Sequence, residues 1–376
     1  MKLLFFSQTL HSGGAERVLA NITNELIRRG YNITIALNKN TIEYPLDSRI
    51  NICIAPQIKL YQGRNVIRRF LRNKAIDRRD FIHTKNVIRN VRPDIIVTFM
   101  HCNMFPIICS HGNIPIVHSE HNAFDRWLGW KYHFQRFFLN RFYDRVLVLT
   151  PFDQGYAMAK KLKNTVVIPN PNTFSAIGNE EYDNLFPTRK NILACGRVYS
   201  WQIKGFDLAI EAFAKVAERF PDIDLDIAGA GGEKEIRLLN SLAAKYKVEN
   251  RLHFLGRQDD IGAIMRQHQL FLLSSRTEGF PMVVAEAMTQ GLPCIAFERL
   301  ASSIIIDGRD GRLVKDGDVV ALSEAIADLI SNDALRYTYG KSGLNNVSRF
   351  AAEVVATRWE NRLLKPLTDD DKHKIH

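Results

Sequence analysis

The sequence lacks any apolar run long enough to cross a membrane, which takes about 20 consecutive apolar residues. The apolar stretch Leu3 to Phe6 follows Lys2 but is shorter than the ~7 to 15 apolar residues of a signal peptide. We therefore expect a cytoplasmic protein. Its five cysteines are odd in number and include no Cys-x-x-Cys pair, which argues against a disulfide framework and indicates reduced thiols.

Two motifs of other enzyme classes are also missing. A nicotinamide oxidoreductase of similar architecture needs Gly-x-Gly-x-x-Gly after its first strand, and neither Gly13-Gly14 nor the glycine run at 229–232 has that spacing. The Asp-x-Asp formed by Asp224 and Asp226 alternates with apolar residues, as in a strand with one wetter face. No neighbouring His or Glu in the sequence completes a cation site there. We therefore predict no metal and no cofactor.

The chain is instead rich in apolar runs that alternate with helical patterns. With 376 residues, 46% of them hydrophobic, it is predicted to form two domains. The alternation pauses at Pro169 to Asn172 and resumes at Ile192, which indicates two parallel sheets with crossover helices. The predicted fold class is α/β, with two Rossmann-like, doubly wound sheets. Ligands are expected at the carboxyl ends of their strands, in a cleft between the domains.

Positive charge is concentrated in the N-terminal half of a chain whose net charge is +11. Ile58 to Arg92 holds eleven Lys or Arg against two Asp, and Phe124 to Tyr143 interleaves aromatic with basic residues. Each basic residue contributes about 1 kcal/mol near an anionic leaflet, and aromatic side chains favour the interface. This predicts peripheral attachment to the inner face of the cell membrane, or an anionic acceptor. The alternative is a solvated basic helix and an aromatic core helix, and no nucleic-acid motif accompanies the charge. The candidate contacts are Arg68, Arg69, Arg72, Trp127 and Trp130.

Two glutamates, Glu278 and Glu286, flank the start of a short predicted helix. The apolar run Leu270 to Leu273 predicts a buried strand before it, and Gly279 and Pro281 predict the turn. Backbone N–H groups at a helix start attract an anion, and the carboxylates accept hydrogen bonds from hydroxyl groups. An anion between hydroxyl-bearing groups is the chemistry of a sugar nucleotide. The alternative is a solvated loop glutamate and a glutamate on a helix surface.

This segment resembles the signature of retaining GT-B glycosyltransferases of family four, the glycosyl transferases group 1, in which two glutamates separated by seven residues bracket Gly-Phe-Pro. Further marks are Gly13 to Arg17, Gly196-Arg197 with Lys204 to Asp207, and Ile227 to Gly232. The resemblance can be followed from residue 1 to about 365. It implies an N-terminal acceptor-binding domain over 1–170, a nucleotide-sugar donor domain over 171–350, and a helix over 351–366 that crosses back to the first domain. Residues 367–376 are predicted to be a disordered tail.

The resemblance also implies roles for individual residues. Arg197 and Lys204 match the cations that hold the donor diphosphate, and such cations stabilise the charge that grows on a leaving phosphate. Glu286 matches the glutamate that accepts hydrogen bonds from the ribose, and Glu278 matches the one at the donor sugar. The rest of the predicted donor pocket consists of Gly279, Phe280 and the backbone N–H groups of Met282 and Val283.

Two further elements lie in the N-terminal half. Gly13 and Gly14 are expected to let backbone N–H groups approach a phosphate, although a plain turn also explains a Gly-Gly pair. In the family a histidine at a strand end faces the donor sugar, and by its spacing from Pro115 it is matched better by His121 than by His118. Orientation or proton relay is the expected role, and a structural histidine is the alternative. The predicted catalytic residues are thus Glu278, His121, Arg197 and Lys204.

The resulting hypothesis is a retaining, metal-independent glycosyltransferase. It moves a hexose or N-acetylhexosamine from a nucleotide diphosphate sugar, with UDP favoured by family frequency, to a glycan or lipid-linked glycan. The pathway classes are cell-surface polysaccharide, lipopolysaccharide or glycoprotein glycan assembly. Alternatives are a sugar-nucleotide epimerase or phosphorylase of the same fold, or a non-catalytic glycan-binding subunit. The loop 297–306 departs from the family pattern because it lacks the glycine-rich turn and has Ser303 where the family has a glutamate.

Overall fold

The structure, a computed structural model, describes residues 1–11, 13–57 and 66–369, of which 66–72 and 369 are described by their backbone alone. The chain divides into two compact units. The first contains Met1–Pro171 together with the C-terminal residues from Ala352, and the second contains Asn172–Ala351.

The first unit is built on a seven-stranded sheet in the order β3-β2-β1-β4-β5-β6-β7. Its strands are β1 (Lys2–Ser7), β2 (Asn32–Leu37), β3 (Asn51–Ile54), β4 (Ile95–Phe99), β5 (Ile116–Ser119), β6 (Arg145–Val148) and β7 (Thr165–Val167). The helices between them are α1 (Gly14–Arg28), α2 (Val66–Val91), α3 (Met104–Ile108), α4 (Trp130–Phe137) and α5 (Pro151–Ala159).

The second unit is built on a six-stranded sheet in the order β10-β9-β8-β11-β12-β13. Its strands are β8 (Lys190–Cys195), β9 (Leu225–Ala228), β10 (Leu252–Gly256), β11 (His268–Leu273), β12 (Cys294–Phe297) and β13 (Gly311–Val314). Its helices are α6 (Asn179–Leu185), α7 (Trp201–Lys204), α8 (Phe206–Ala217), α9 (Glu233–Lys245), α10 (Ile261–Gln267), α11 (Met282–Thr289), α12 (Glu298–Ala301), α13 (Val319–Ser331) and α14 (Asp333–Val347).

Both sheets are parallel in every described strand pair. Their central strands are buried along their whole length, as in β4 and β11, because helices cover both faces of a parallel sheet. This explains why these strands read as continuous apolar runs rather than as alternating patterns. The predicted α/β class with two doubly wound sheets is confirmed.

The C-terminal segment packs on the first unit. It forms α15 (Ala352–Trp359), a π-helical stretch at Glu360–Leu364 and α16 (Lys365–Asp369). Arg29 at the end of α1 donates to Glu360 Oε2 at 2.7 Å. The ring of Trp359, almost fully buried, lies 6.3 Å from the rings of both Phe5 and Phe99. These contacts place the last helices against the strands β1 and β4.

The C-terminal helix differs in detail from its prediction. Instead of one regular helix, the backbone widens into π geometry over Glu360–Leu364, and the consecutive side chains Leu363 and Leu364 are both fully buried. The last helix ends at Asp369, three residues into the stretch 367–376 that the sequence predicts to be disordered. Residues 370–376 lie outside the described residues. Among the helices that the structure describes, none has the length and apolar character needed to span a membrane.

Candidate active site

The predicted donor residues follow two neighbouring central strands of the second unit. The strands β8 and β11 pair in parallel, with Phe271 opposite Leu193. The chain adds β9 and β10 on one side of β8, and it adds β12 and β13 on the opposite side, next to β11. The direction in which strands are added to the sheet therefore reverses between β8 and β11. In doubly wound sheets, ligands bind at the carboxyl ends of the strands at this switch point. Arg197 and Lys204 come after β8, and Glu278 and Glu286 come after β11.

Lys204 and Glu278 form an ion pair at this edge. Lys204 Nζ lies 2.8 Å from Glu278 Oε1, and the Ser275 hydroxyl donates to the same oxygen at 2.7 Å. Both charged side chains are mostly buried. The carboxylate keeps the ammonium group at the strand edge, where a phosphate oxygen could take the place of the carboxylate. Ser275 was not identified from the sequence.

Glycines allow this close approach of two loops. Gly205 has φ +63° and lies against the chain of the next loop, so that a Cβ there would overlap the carbonyl oxygen of Ser274. The methylene chain of Lys204 passes over Gly196, where an added Cβ would come within 3.0 Å of it. Gly229 has φ +150° and would place a Cβ on the carbonyl oxygen of Gly196. The glycines therefore set the path of Lys204 across the end of β8.

Glu286 lies on α11 and is almost fully buried. Burial raises the pKa of the Cys195 thiol at the end of β8, with a further increase from the charge of Glu286 and a decrease from that of Lys204. Both charges therefore lie close to Cys195. Arg197 follows Cys195 by two residues and is exposed, without an ion-pair partner among the described residues. The structure thus brings Lys204, Glu278 and Glu286 to one strand edge, with Arg197 beside them.

At the start of α11, one of the two amides predicted to bind an anion already has a backbone partner. The Met282 N–H donates to the carbonyl of Phe280 at 2.8 Å, and the Val284 N–H donates to the carbonyl of Pro281 at 2.9 Å. The Met282 amide is therefore already engaged, because Pro281 turns the chain tightly before the helix. The ring of Phe280 packs edge-on against Phe350, with 5.6 Å between the centroids. Gly279 and Val283 are half-buried beside them.

The loop 297–306, which departs from the family pattern, begins with the short helix α12. Arg299 Nε pairs with Asp316 Oδ2 at 2.8 Å, and its Nη2 donates to the carbonyl of Arg276. Arg349 Nη2 donates to the carbonyl of Ser303 at 3.1 Å. The loop is thus held by arginines in place of a glycine-rich turn.

The Asp-x-Asp pair has histidine partners that the sequence analysis did not find. His253 Nε2 lies 3.0 Å from Asp224 Oδ2, and His268 Nε2 lies 2.8 Å from Asp226 Oδ2. The expectation that no His lies near these aspartates is therefore wrong, because the sheet brings His253 of β10 and His268 of β11 to them. Arg251 also pairs with Asp224, at 3.1 Å. Each aspartate therefore has its own charged or imidazole partner.

In the first unit, Gly13 follows β1 as the residue before α1, and Gly14 is the first residue of that helix. The Gly13 N–H donates to the hydroxyl oxygen of Tyr44 at 3.0 Å. The same hydroxyl donates to the Gly13 carbonyl at 3.0 Å. A phosphate at the Gly13 amide would have to compete with Tyr44, which was not identified from the sequence. A Cβ on Gly13 would overlap the carboxylate of Glu16.

His121 and His118 occupy different environments after and within β5. The ring of His121 stacks on Phe99 with 4.9 Å between centroids, and its Nε2 lies 2.9 Å from Ser119 Oγ. Burial lowers the pKa of His121 to about 4, so that the imidazole is neutral at pH 7. His118 is fully buried, and its ring lies 5.2 Å from that of His101.

Glu120 is a buried carboxylate that was also missed. Its Oε1 accepts the backbone N–H groups of His121 and Asn122, at 3.1 and 3.0 Å. Its Oε2 accepts from Arg136 Nε at 3.2 Å. Burial alone would raise the pKa of Glu120, but His101, His118 and Arg136 hold it well below its usual value. An ionised Glu120 therefore fixes the segment that carries His121.

The predicted membrane residues fall on two helices. Arg68, Arg69 and Arg72 belong to α2, but their side chains lie outside the described residues. Trp130 is the first residue of α4 and is 79% exposed, and Trp127 lies three residues before the helix and is 57% exposed. The neighbouring aromatic side chains that are also exposed are Tyr132, Phe134, Phe138 and Phe142. The alternative of an aromatic core helix is therefore wrong for these six exposed residues, although Phe137 of the same helix packs against the core.

Comparison with known proteins matches both units. The family model described as Glycosyltransferase Family 4 matches residues 12–171, and that described as Glycosyl transferases group 1 matches residues 189–332. The two parallel sheets have the GT-B architecture. The chain belongs to the family-four GT-B glycosyltransferases.

Two relatives and one solved structure are similar to nearly the whole chain. It is 25% identical over 366 residues to the amylovoran biosynthesis glycosyltransferase AmsD of Erwinia amylovora, with 96% of this chain and 99% of that protein covered. It is 23% identical over 381 residues to a Campylobacter jejuni N-acetyl-D-galactosaminyltransferase, with 98% and 99% covered. The structure of Anabaena Alr3699/HepE in complex with UDP and glucose superposes with a TM-score of 0.73 at 20% identity, with 96% and 99% covered.

Proposed function

We propose that this protein transfers a hexose or N-acetylhexosamine from a nucleotide diphosphate sugar to a glycan or lipid-linked glycan, with retention of the anomeric configuration. The observation that carries the proposal is the Lys204–Glu278 pair beside buried Glu286, at the switch point between β8 and β11. Cations at such an edge neutralise a diphosphate, and carboxylates bind the hydroxyl groups on either side of it.

In the proposed reaction, the diphosphate takes the place of Glu278 at the Lys204 ammonium group, with Arg197 as the second cation. The bond between the anomeric carbon and the phosphate oxygen breaks, and the acceptor oxygen bonds to that carbon from the same face. The acceptor proton passes to the departing phosphate. The two side-chain cations stabilise the negative charge of the leaving group, so we propose that transfer needs no metal ion. The roles of Gly13, Gly14 and His121 at the donor stay predictions.

The names of relatives support the class of substrate. AmsD belongs to biosynthesis of a polysaccharide, amylovoran. The Campylobacter jejuni relative acts on a GalNAc-containing glycan on PP-undecaprenol, and HepE has been solved with UDP and glucose. We therefore propose a UDP-sugar donor and an acceptor glycan carried on a lipid diphosphate, for cell-surface polysaccharide or related glycan assembly.

A panel of nucleotide sugars tests the donor site by thermal shift. A donor at about 100 times its dissociation constant should stabilise the protein by about 2.7 kcal/mol. In Glu286→Ala, loss of hydrogen bonds to a charged group should weaken that donor by about 10- to 100-fold, since such bonds contribute about 1.5–3 kcal/mol.

The matched control is Glu324→Ala, an exposed glutamate on α13, which should bind the donor like the wild type. No shift with any nucleotide sugar, or equal binding by Glu286→Ala, would contradict the donor-site assignment. Nucleotide release that requires an acceptor separates transfer from epimerisation, and binding without turnover on any acceptor would indicate a glycan-binding subunit.

We further propose that the exposed aromatic side chains around α4 contact the anionic inner face of the cell membrane, where the lipid-linked acceptor would reside. Exposed Lys131 and Arg141 flank these aromatics, and basic residues with interfacial aromatics favour anionic bilayers. Six exposed aromatic side chains within sixteen residues, from Trp127 to Phe142, form an apolar surface that soluble proteins rarely leave open to water.

Replacing Trp127 and Trp130 together by serine should weaken binding to vesicles that contain anionic lipid by about tenfold or more, because two large aromatic surfaces are lost. Co-sedimentation with vesicles measures this. Tyr199→Ser is the control, because Tyr199 is 62% exposed in the second unit. Equal vesicle binding by the double variant and the wild type would exclude these residues as anchors.

A further inference from the structure

Three side chains with metal-ligand chemistry converge at the carboxyl edge of the first sheet. His101 follows β4, His118 lies in β5, and Glu120 follows β5 directly. His101 Nε2 lies 3.3 Å from Glu120 Oε2, and His118 Nε2 lies 3.9 Å from the same oxygen. One ligand atom from each of the three lies within 4.8 Å of the others. The exposed fractions of the three side chains are 5%, 0% and 1%.

The imidazoles of this cluster are incompletely satisfied. Among the described residues, neither ring nitrogen of His101 or of His118 has a partner in good hydrogen-bond geometry, although the Nε2 atom of each ring lies within ion-pair distance of Glu120 Oε2. A buried polar atom without a good partner destabilises the folded state, and such atoms are few in folded proteins. Each neutral imidazole carries one N–H group and one nitrogen with a free lone pair, so the two rings offer two lone pairs beside the Glu120 carboxylate, a donor set that suits a cation.

We propose that His101, His118 and Glu120 bind one divalent transition-metal ion of the zinc type. Neutral imidazole and carboxylate are ligands that zinc prefers, at bond lengths of about 2.0–2.1 Å. In a tetrahedral site with those bond lengths, ligand atoms lie roughly 3.4 Å apart. The two nitrogen–oxygen separations of 3.3 and 3.9 Å are close to this value, and all three ligand atoms lie within 4.8 Å of one another, so that the ligands would move closer together when the ion binds. Two histidines and one carboxylate leave the fourth position to water.

The surroundings of Glu120 orient its carboxylate for this role. Its Oε1 is held by the N–H groups of His121 and Asn122, and Arg136 Nε donates to Oε2. Such outer contacts fix ligand carboxylates in metal sites. The positive charge of Arg136 opposes the cation, so we expect weaker binding than in a comparable site without an arginine. The ion would join the ends of β4 and β5 and the segment that carries His121, which is a structural role outside the proposed transfer reaction.

Metal binding to the full-length protein, stripped with a chelator and dialysed, tests this site without any nucleotide sugar. We expect one equivalent of Zn²⁺ per chain by elemental analysis. Bound Co²⁺ should show the visible absorption of a four-coordinate ion with nitrogen and oxygen ligands. The midpoint of thermal unfolding should rise with Zn²⁺ concentration and not with Mg²⁺, because imidazole ligands favour zinc over magnesium.

Binding should be lost in His101→Gln and in His118→Gln. It should persist in His253→Gln, which removes an exposed histidine that also lies beside a carboxylate, Asp224. The proposal is overturned if the wild type binds neither Zn²⁺ nor Co²⁺, or if His101→Gln and His118→Gln both still bind one Zn²⁺ per chain. If both variants fail to fold, the unfolding midpoint of the wild type tests the proposal. Equal shifts of that midpoint with Zn²⁺ and with Mg²⁺ would overturn the proposal. Because donor binding is measured separately, failure here leaves the proposed transferase function untouched.

Discussion

Replacing Lys204 by methionine is expected to lower the kcat of sugar transfer by about 10²- to 10³-fold, the usual effect of removing one group that stabilises developing negative charge. Methionine keeps an unbranched apolar stem of similar length across Gly196 and removes the ammonium group with its charge and hydrogen bonds. The loss should appear mainly in kcat, because the charge on the diphosphate oxygens grows as the glycosidic bond breaks. The ion pair with Glu278 keeps the ammonium group in place before the donor arrives.

The measurement is the initial rate of nucleotide release at saturating donor and acceptor, with the unfolding midpoint as a check on the fold. Lys341→Met is the matched control, because Lys341 forms an ion pair of similar length, 2.7 Å, with Asp183 in the same unit. The control should retain transfer. A rate within a fewfold of wild type for Lys204→Met, or an equal loss in both variants, would remove Lys204 from the catalytic group.

Substitution of Gly205 by alanine is expected to destabilise the second unit by about 2–5 kcal/mol. A residue with a Cβ loses about 1–2 kcal/mol in the left-handed conformation, and forced backbone movement in a packed region costs about 1–3 kcal/mol more. At Gly205, φ is +63° and the new methyl group would overlap the Ser274 carbonyl oxygen. The loops that follow β8 and β11 would have to separate.

Gly256→Ala separates the two contributions. Gly256 has φ +66° and nothing within 4 Å of an added Cβ, so its substitution should cost only the conformational term of about 1–2 kcal/mol. The difference in urea midpoint between the two variants measures the overlap. Equal midpoints would show that the two loops can move apart without cost. Donor binding should fall with Gly205→Ala and stay unchanged with Gly256→Ala.

The parallel sheets could be predicted from the sequence because their strands carry their own signal. A strand such as β11 is buried on both faces, so it needs apolar side chains at every position, and the run is visible without knowledge of its neighbours. The turn chemistry of Gly279 and Pro281 likewise acts within a few residues. Boundaries were less well predicted, since helix ends are set by individual hydrogen bonds. The helix predicted over 351–366 is interrupted by π geometry at Glu360–Leu364 and ends at Asp369.

The contacts between distant residues could not be predicted in the same way. Tyr44 reaches Gly13 across 31 positions and His268 reaches Asp226 across 42, and neither pair has a signal in either segment alone. The cluster around Glu120 depends on the pairing of β4 with β5, and on Arg136 from α4. The exposure of Trp127 and Trp130 also required the structure, because an aromatic, amphipathic stretch packs inward in one fold and stays outside in another.

The sequence by itself determined the α/β class, the two doubly wound sheets and the residues at the carboxyl ends of β8 and β11. Local apolar runs, turn residues and charged side chains at fixed spacing are sufficient for this. Only the tertiary structure decided which side chains meet: Lys204 with Glu278, Gly13 with Tyr44, and His101 and His118 with Glu120. Such pairs form because strand order and helix packing bring distant segments together, and the free energy of each pair depends on distance and burial, which a linear sequence does not contain.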